Sequence, residues 1–142
     1  MVRKCPDVVS ALCTCLLNST GDARHLSLLS LNNLSIPSEN KKTFNTDETR
    51  EELVGALVKV VETDPNESYL ACIALMNLSF LDTCVADIAS FPGLLPVVEQ
   101  LLRDGVKAKA GSGKSEGVRW AAGLLKNLSK NQHAASLIAE TR

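Results

Sequence analysis

One five-residue pattern occurs three times in this 142-residue sequence and constrains its fold more than any other feature. The pattern reads L-x-N-L-S, and its copies stand at Leu31–Ser35, Leu75–Ser79 and Leu125–Ser129. The asparagines of the three copies, Asn33, Asn77 and Asn127, are 44 and then 50 residues apart. Self-similarity at such a period is typical of arrays of short helices that stack one unit upon the next.

A second pattern precedes each copy of the first. Apolar pairs recur about two helical turns apart and so share one face of an amphipathic helix. These pairs are Val8-Val9 with Leu16-Leu17, Leu53-Val54 with Val60-Val61, and Leu94-Leu95 with Leu101-Leu102. From the end of this pattern to the repeated Asn there are 16 residues in the first two copies and 25 in the third. A single insertion explains the difference, and the Gly, Ser and Lys content of residues 104–116 predicts that it is a flexible loop.

A short helix, which closes the unit, is predicted after each copy. Phe44, Ile88 and Ile138 each lie 11 residues after the repeated Asn, in short segments that begin after a break at Pro37-Ser38, Asp82 or Asn131. The aromatic content of only 4% also favours helices packed through aliphatic side chains over a β-sandwich. We therefore predict an all-α chain of three three-helix units, at about residues 6–46, 50–91 and 93–142.

These units resemble the armadillo repeat family. Phe91–Val98 looks like the family's junction, in which a glycine follows the short helix and a leucine-rich helix begins. Ser68–Ser79 looks like the long helix that is counted third in the family's own order, with the core A-x-x-A-L-x-N-L. The resemblance covers nearly the whole chain, and it implies a right-handed α-solenoid of about three armadillo-like repeats in a single domain, residues 1–142.

The phase of the units matters as well. In the family's order the chain opens on a second helix and ends after a first helix, and neither end shows a polar capping repeat. Because the ends of a solenoid need polar caps, we expect the chain to be part of a longer array. The same uncapped ends predict a capacity for self-association.

The resemblance also implies a binding site. In armadillo proteins the matching asparagine lies on the third helix and lines the concave groove, where its amide binds the backbone of an extended peptide. An amide suits this task because it offers both a donor and an acceptor. The candidate groove residues are Asn33, Asn77, Asn127, Leu29, Ile73 and Trp120. The alternative is that the asparagines bond within their own repeat or cap its helices, since local bonding of Asn to the backbone is common.

The predicted groove is apolar. Nuclear-import members of the family carry a Trp four residues before the Asn, where this chain has Leu29, Ile73 and Gly123. Together with Leu26, Leu70 and Trp120, this composition favours an amphipathic helix or a mixed peptide over a nuclear signal. We therefore predict a protein-interaction scaffold that binds a protein or peptide partner. The alternative is an accessory repeat region of a larger regulator or enzyme, such as a ubiquitin ligase or a GTPase regulator.

Other function classes find little support in the sequence. A net charge of −1 provides no overall attraction to nucleic acid, and no apolar run is long enough to span a membrane. Five cysteines without a C-x-x-C pair predict reduced thiols rather than a zinc site or a disulfide framework, and hence a cytoplasmic or nuclear location. His25 and His133 stand apart from any nucleophile or ligand motif, so we expect no enzyme activity, metal or cofactor.

Overall fold

The computed structural model describes residues 6–140, and within this range every element is a helix. The nine helices are α1 (Pro6–Asn18), α2 (Gly21–Leu34), α3 (Ser38–Phe44), α4 (Asp47–Thr63), α5 (Ser68–Leu78), α6 (Asp82–Ala89), α7 (Leu94–Val106), α8 (Gly113–Leu128) and α9 (Gln132–Glu140). The predicted all-α class is confirmed.

The helix ends follow from local sequence. Thr46 precedes α4, and its side-chain oxygen accepts a hydrogen bond from the backbone N–H of Thr49. Asp47 and Glu48 then place negative charge in the first turn, where it interacts favourably with the helix dipole. Before α7 the chain turns through Gly93 at a φ of 85°, a left-handed conformation that favours glycine.

The nine helices form three successive triplets whose equivalent members pack against each other. Helix α1 contacts α4, which contacts α7, and α2, α5 and α8 are packed in the same order. The short helices α3, α6 and α9 also contact one another in sequence. The L-x-N-L-S motifs close α2, α5 and α8, so these three helices lie side by side. The architecture is therefore all-α and repeat-like.

The core runs through all three triplets and is most complete in the middle one. Leu53, Leu57 and Val60 of α4 are almost wholly buried, because α1 and α7 pack on this helix from either side. In α1, by contrast, Val8 is 50% exposed and Leu17 is 49% exposed. Burial of an apolar residue thus depends on the neighbouring triplet, as expected where short helices cannot bury their apolar surface alone.

Helices extend from both sides into the segment that the sequence marks as an insertion. Helix α7 continues to Val106 and α8 begins at Gly113, which leaves residues 107–112 between them. At Gly113 an added Cβ would lie 2.6 Å from the backbone oxygen of Asn66, so the start of α8 approaches the α4–α5 turn directly. Glycine is needed there because a side chain would collide with backbone atoms.

In the part of the chain that the structure describes, no single helix is both long and apolar enough to cross a membrane. Asp82–Ala89 and Leu94–Val106 reach the required length and composition only when taken together, with a bend of 83° between them.

Candidate binding face

The three repeated asparagines lie in the last turns of α2, α5 and α8 and differ in exposure. Asn33 is exposed, Asn77 is half-buried, and Asn127 is only 4% exposed. The greater exposure of Asn33 follows from the place of α2, which is the first of the three side-by-side helices. An asparagine gains contacts when a preceding triplet covers it, and Asn33 has no preceding triplet among the described residues.

Two of the asparagines connect neighbouring triplets. The amide nitrogen of Asn77 donates a hydrogen bond to the backbone oxygen of Asn32, at 3.3 Å. The amide nitrogen of Asn127 donates to the backbone oxygen of Met76, at 3.4 Å, and to the hydroxyl oxygen of Ser79, at 3.0 Å. Each of the two carbonyls belongs to the residue just before the Asn of the preceding triplet. The motif therefore forms a hydrogen-bonded connection from one unit to the next, which sequence reasoning missed.

These hydrogen bonds limit what each amide can offer to a ligand. The Asn127 amide is buried and has partners inside the protein, so it contributes mainly to packing. Asn77 has one internal hydrogen bond and remains half-buried, while the exposed Asn33 keeps the most freedom to bond an external group. The sequence did contain a signal for the hydrogen bonds between units, because one polar residue at the same position of three stacked helices is suited to pairing them.

The predicted apolar residues are partly available on the same helices. Leu29 is 37% exposed, and Ile73 at the equivalent position of α5 is half-buried. In α8 this position is Gly123, where an added Cβ would lie 2.8 Å from the sulfur of Met76. The Met76 side chain therefore lies against α8 at Gly123. At the equivalent position α2 and α5 carry the aliphatic side chains of Leu29 and Ile73.

The positions one turn earlier differ more strongly. Leu26 is 60% exposed, whereas Leu70 at the equivalent position of α5 is 4% exposed and belongs to the core. The expectation that Leu70 contributes to the groove is therefore wrong, because neighbouring helices pack on α5 from both sides. Trp120, at the same position of α8, is half-buried against the core, and the Arg119 guanidinium lies 4.9 Å from its ring centroid in cation–π geometry.

Two further exposed apolar residues lie in the α2–α3 and α5–α6 turns and were not found from the sequence. Ile36 is 59% exposed and Phe80 is 60% exposed, and each stands three residues after the repeated Asn. Phe80 follows Ser79, which accepts the hydrogen bond of Asn127, so it lies at the α5–α8 junction. The sequence signal that could have identified them is a large apolar residue directly after L-x-N-L-S in the first two copies. We call these residues together the apolar face; its members are Leu29, Ile36, Ile73, Phe80 and Trp120, and Leu26 is left out because its position is covered by neighbouring helices in α5.

The cysteines of the described residues are all free thiols. Burial raises the pKa of the Cys13 and Cys72 thiols to about 12, so both remain protonated and behave as small apolar core residues. Cys15 is partly exposed, and its hydrogen bonds, first to Ser19 and then to Ser27, lower its pKa. Cys5 lies outside the described residues. Among residues 6–140 no group of three or more His, Cys, Asp or Glu side chains could hold a metal ion.

Comparison of the chain with protein-family models, with curated proteins and with solved structures found no match. The class of the protein thus rests on the geometry above: an all-α chain with a repeat-like architecture, whose motif-bearing helices lie side by side and expose apolar side chains.

Proposed function

We propose that this chain is an armadillo-like α-solenoid that serves as a scaffold, and that it binds an amphipathic helix or mixed peptide of a partner protein along the apolar face. The stepwise packing of α2, α5 and α8 supports a solenoid, since each unit contacts its neighbours in order. The repeat period in the forties supports the armadillo class.

The exposure of large apolar side chains on α2 and in the turns that follow α2 and α5 carries the proposal. Ile36 and Phe80 are 59% and 60% exposed, and each stands directly after its copy of the motif, while Leu29 of α2 is 37% exposed. Apolar residues grouped on one surface mark interaction sites more often than residues scattered singly. A helix that places its own apolar stripe against them would bury both surfaces.

The asparagines have separate parts in this proposal. Asn33 and the exposed part of Asn77 are free to hydrogen-bond the backbone or polar side chains of the bound segment, whereas Asn127 holds the second and third units together. This role is that of a binding protein and requires neither catalysis nor a cofactor. The free cysteines support a reducing location, the cytoplasm or the nucleus.

The test is to select amphipathic helical peptides against the wild-type protein by display and to measure their affinity for face variants. We expect Leu29→Asp and Phe80→Asp each to weaken binding about tenfold or more, since a buried charge replaces an apolar anchor. Val106→Asp is the matched control, because Val106 is 75% exposed but lies at the end of α7, outside the apolar face. Peptides that bind the face variants as tightly as wild type would refute the proposed site.

A further inference from the structure

The junction between the first and second triplets is closed by an arginine. The Arg24 Nε of α2 donates to the backbone oxygen of Leu16 at 3.0 Å, and its Nη1 lies 2.9 Å from the carboxylate of Asp64. The two charged side chains are only 13% and 21% exposed. A guanidinium therefore fills the space between the end of α1 and the α4–α5 turn, and a carboxylate of the next triplet balances its charge.

The second junction keeps the carboxylate but lacks the arginine. Counting back nine residues from the repeated Asn gives Arg24 in α2 and Ser68 in α5. Ser68 is buried, and its short side chain donates to the backbone oxygen of Pro65 at 3.1 Å. When α4 and α7 are aligned through their apolar pairs, Asp104 stands one residue before the position of Asp64. The acid thus recurs, but no arginine stands at the position equivalent to Arg24.

A cleft of about 330 Å³ opens at this second junction. Its polar lining includes Glu62, Ser68, Gln100, Asp104 and Lys114, and its apolar lining includes Val61 and Leu101. The volume is at the small end of ligand pockets. Gln100 donates to a carboxylate oxygen of Asp104 at 2.9 Å, which orients the acid. Apolar walls beside carboxylates suit an arginine side chain, because its methylene groups can pack on the apolar residues while its planar guanidinium pairs with a carboxylate.

We propose that the cleft between the second and third triplets binds an arginine side chain of a partner protein, in the position that Arg24 occupies one junction earlier. The cleft lies at the beginning of α5 and α8, whereas the asparagines of the apolar face lie at the ends of these helices. The site does not rest on the proposed function of that face. Lys114 in the lining opposes a second cation, so it limits the affinity.

The first test titrates the protein with N-acetylarginine amide, followed by backbone amide NMR, against the uncharged isostere N-acetylcitrulline amide. We expect saturable shifts at Ser68, Gln100 and Asp104 with the arginine probe and none with citrulline. Asp104→Asn should weaken binding about tenfold, because it removes a charge-assisted hydrogen bond. Glu99→Gln, on the same helix but paired with Arg103, is the matched control and should bind normally. Shifts that survive Asp104→Asn, or that occur equally with citrulline, overturn the proposal.

Two further variants give effects of opposite sign. Lys114→Gln should tighten binding of the arginine probe, because it removes a like charge from the lining. Ser68→Arg should place a guanidinium in the cleft, abolish probe binding and raise the melting temperature, and Asp104→Asn should cancel the rise in melting temperature. A folded Ser68→Arg protein that still binds the probe contradicts the proposal, as does a Lys114→Gln protein that binds it more weakly.

Discussion

At the scale of single residues, the repeated asparagine has a different environment in each copy of one motif. The amides of Asn77 and Asn127 bond carbonyls of the preceding triplet, while Asn33 is exposed. The sequence showed that the three positions are equivalent, but it left open whether the side chains bond a ligand or their own repeat. A hydrogen bond to a residue 45 or more positions away depends on which helix is stacked alongside, and no local pattern contains that information.

The asparagines should therefore differ in their effect on stability. We expect Asn127→Ala to lower the free energy of unfolding by about 1–3 kcal/mol, because it removes two hydrogen bonds between triplets at a site that is only 4% exposed. Asn33→Ala is the matched control and should change it by less than about 0.5 kcal/mol, as for other exposed sites. Urea unfolding of the three proteins measures the difference, and equal destabilisation by both variants would contradict the connecting role of Asn127.

At the scale of the elements, the repeat predicts the order of the helices but not where they end at the insertion. The predicted insertion at 104–116 contains the end of α7 and the beginning of α8, and only residues 107–112 separate them. Gly105 and Gly113 suggest a loop by composition, yet Gly105 is buried in α7 and Gly113 begins α8. Glycine serves either to give the backbone conformational freedom or to let two segments approach closely. Only the neighbours in the folded structure show which of the two applies.

Gly105→Ala tests the close approach of α7 and α8. An added Cβ would lie 2.3 Å from Val118 Cγ2 and 2.6 Å from the backbone oxygen of Lys114, so we expect a loss of about 1–3 kcal/mol in stability. Gly55→Ala in α4 is the control, because its Cβ would meet only Phe91 at an ordinary 3.5 Å. The higher helix propensity of alanine should make Gly55→Ala neutral or stabilising by up to about 1 kcal/mol. Thermal or urea unfolding compares them, and a neutral Gly105→Ala would disprove the tight contact.

At the scale of the whole molecule, the middle triplet is covered from both sides. Helix α4 contacts both α1 and α7, and α5 contacts both α2 and α8. The contrast between Leu26 and Leu70, at equivalent positions but 60% and 4% exposed, reflects this coverage. Stability in such an arrangement depends on the intrinsic stability of each unit and on the interfaces between neighbours.

Native-state hydrogen exchange should show this gradient. We expect the slowest amide exchange in α4 and α5, and faster exchange in α1 and α9, which have fewer packed neighbours. The measurement is residue-resolved exchange under conditions that report opening free energies, and the buried amides of α4 provide an internal reference. Uniform protection over all nine described helices would indicate a single cooperative unit instead.

The sequence by itself determined the helical class, the three triplets and their register. These follow from local spacing: apolar residues that share a helix face, turn residues between them, and one motif at a constant position. Tertiary structure alone decided which asparagine is exposed, why Leu70 is buried, how Gly105 is used, and that a cleft opens beside Ser68. Each of these depends on atoms that another triplet supplies. A side chain's burial and hydrogen bonds are set by its neighbours in space, and the chain brings them together from about forty residues away.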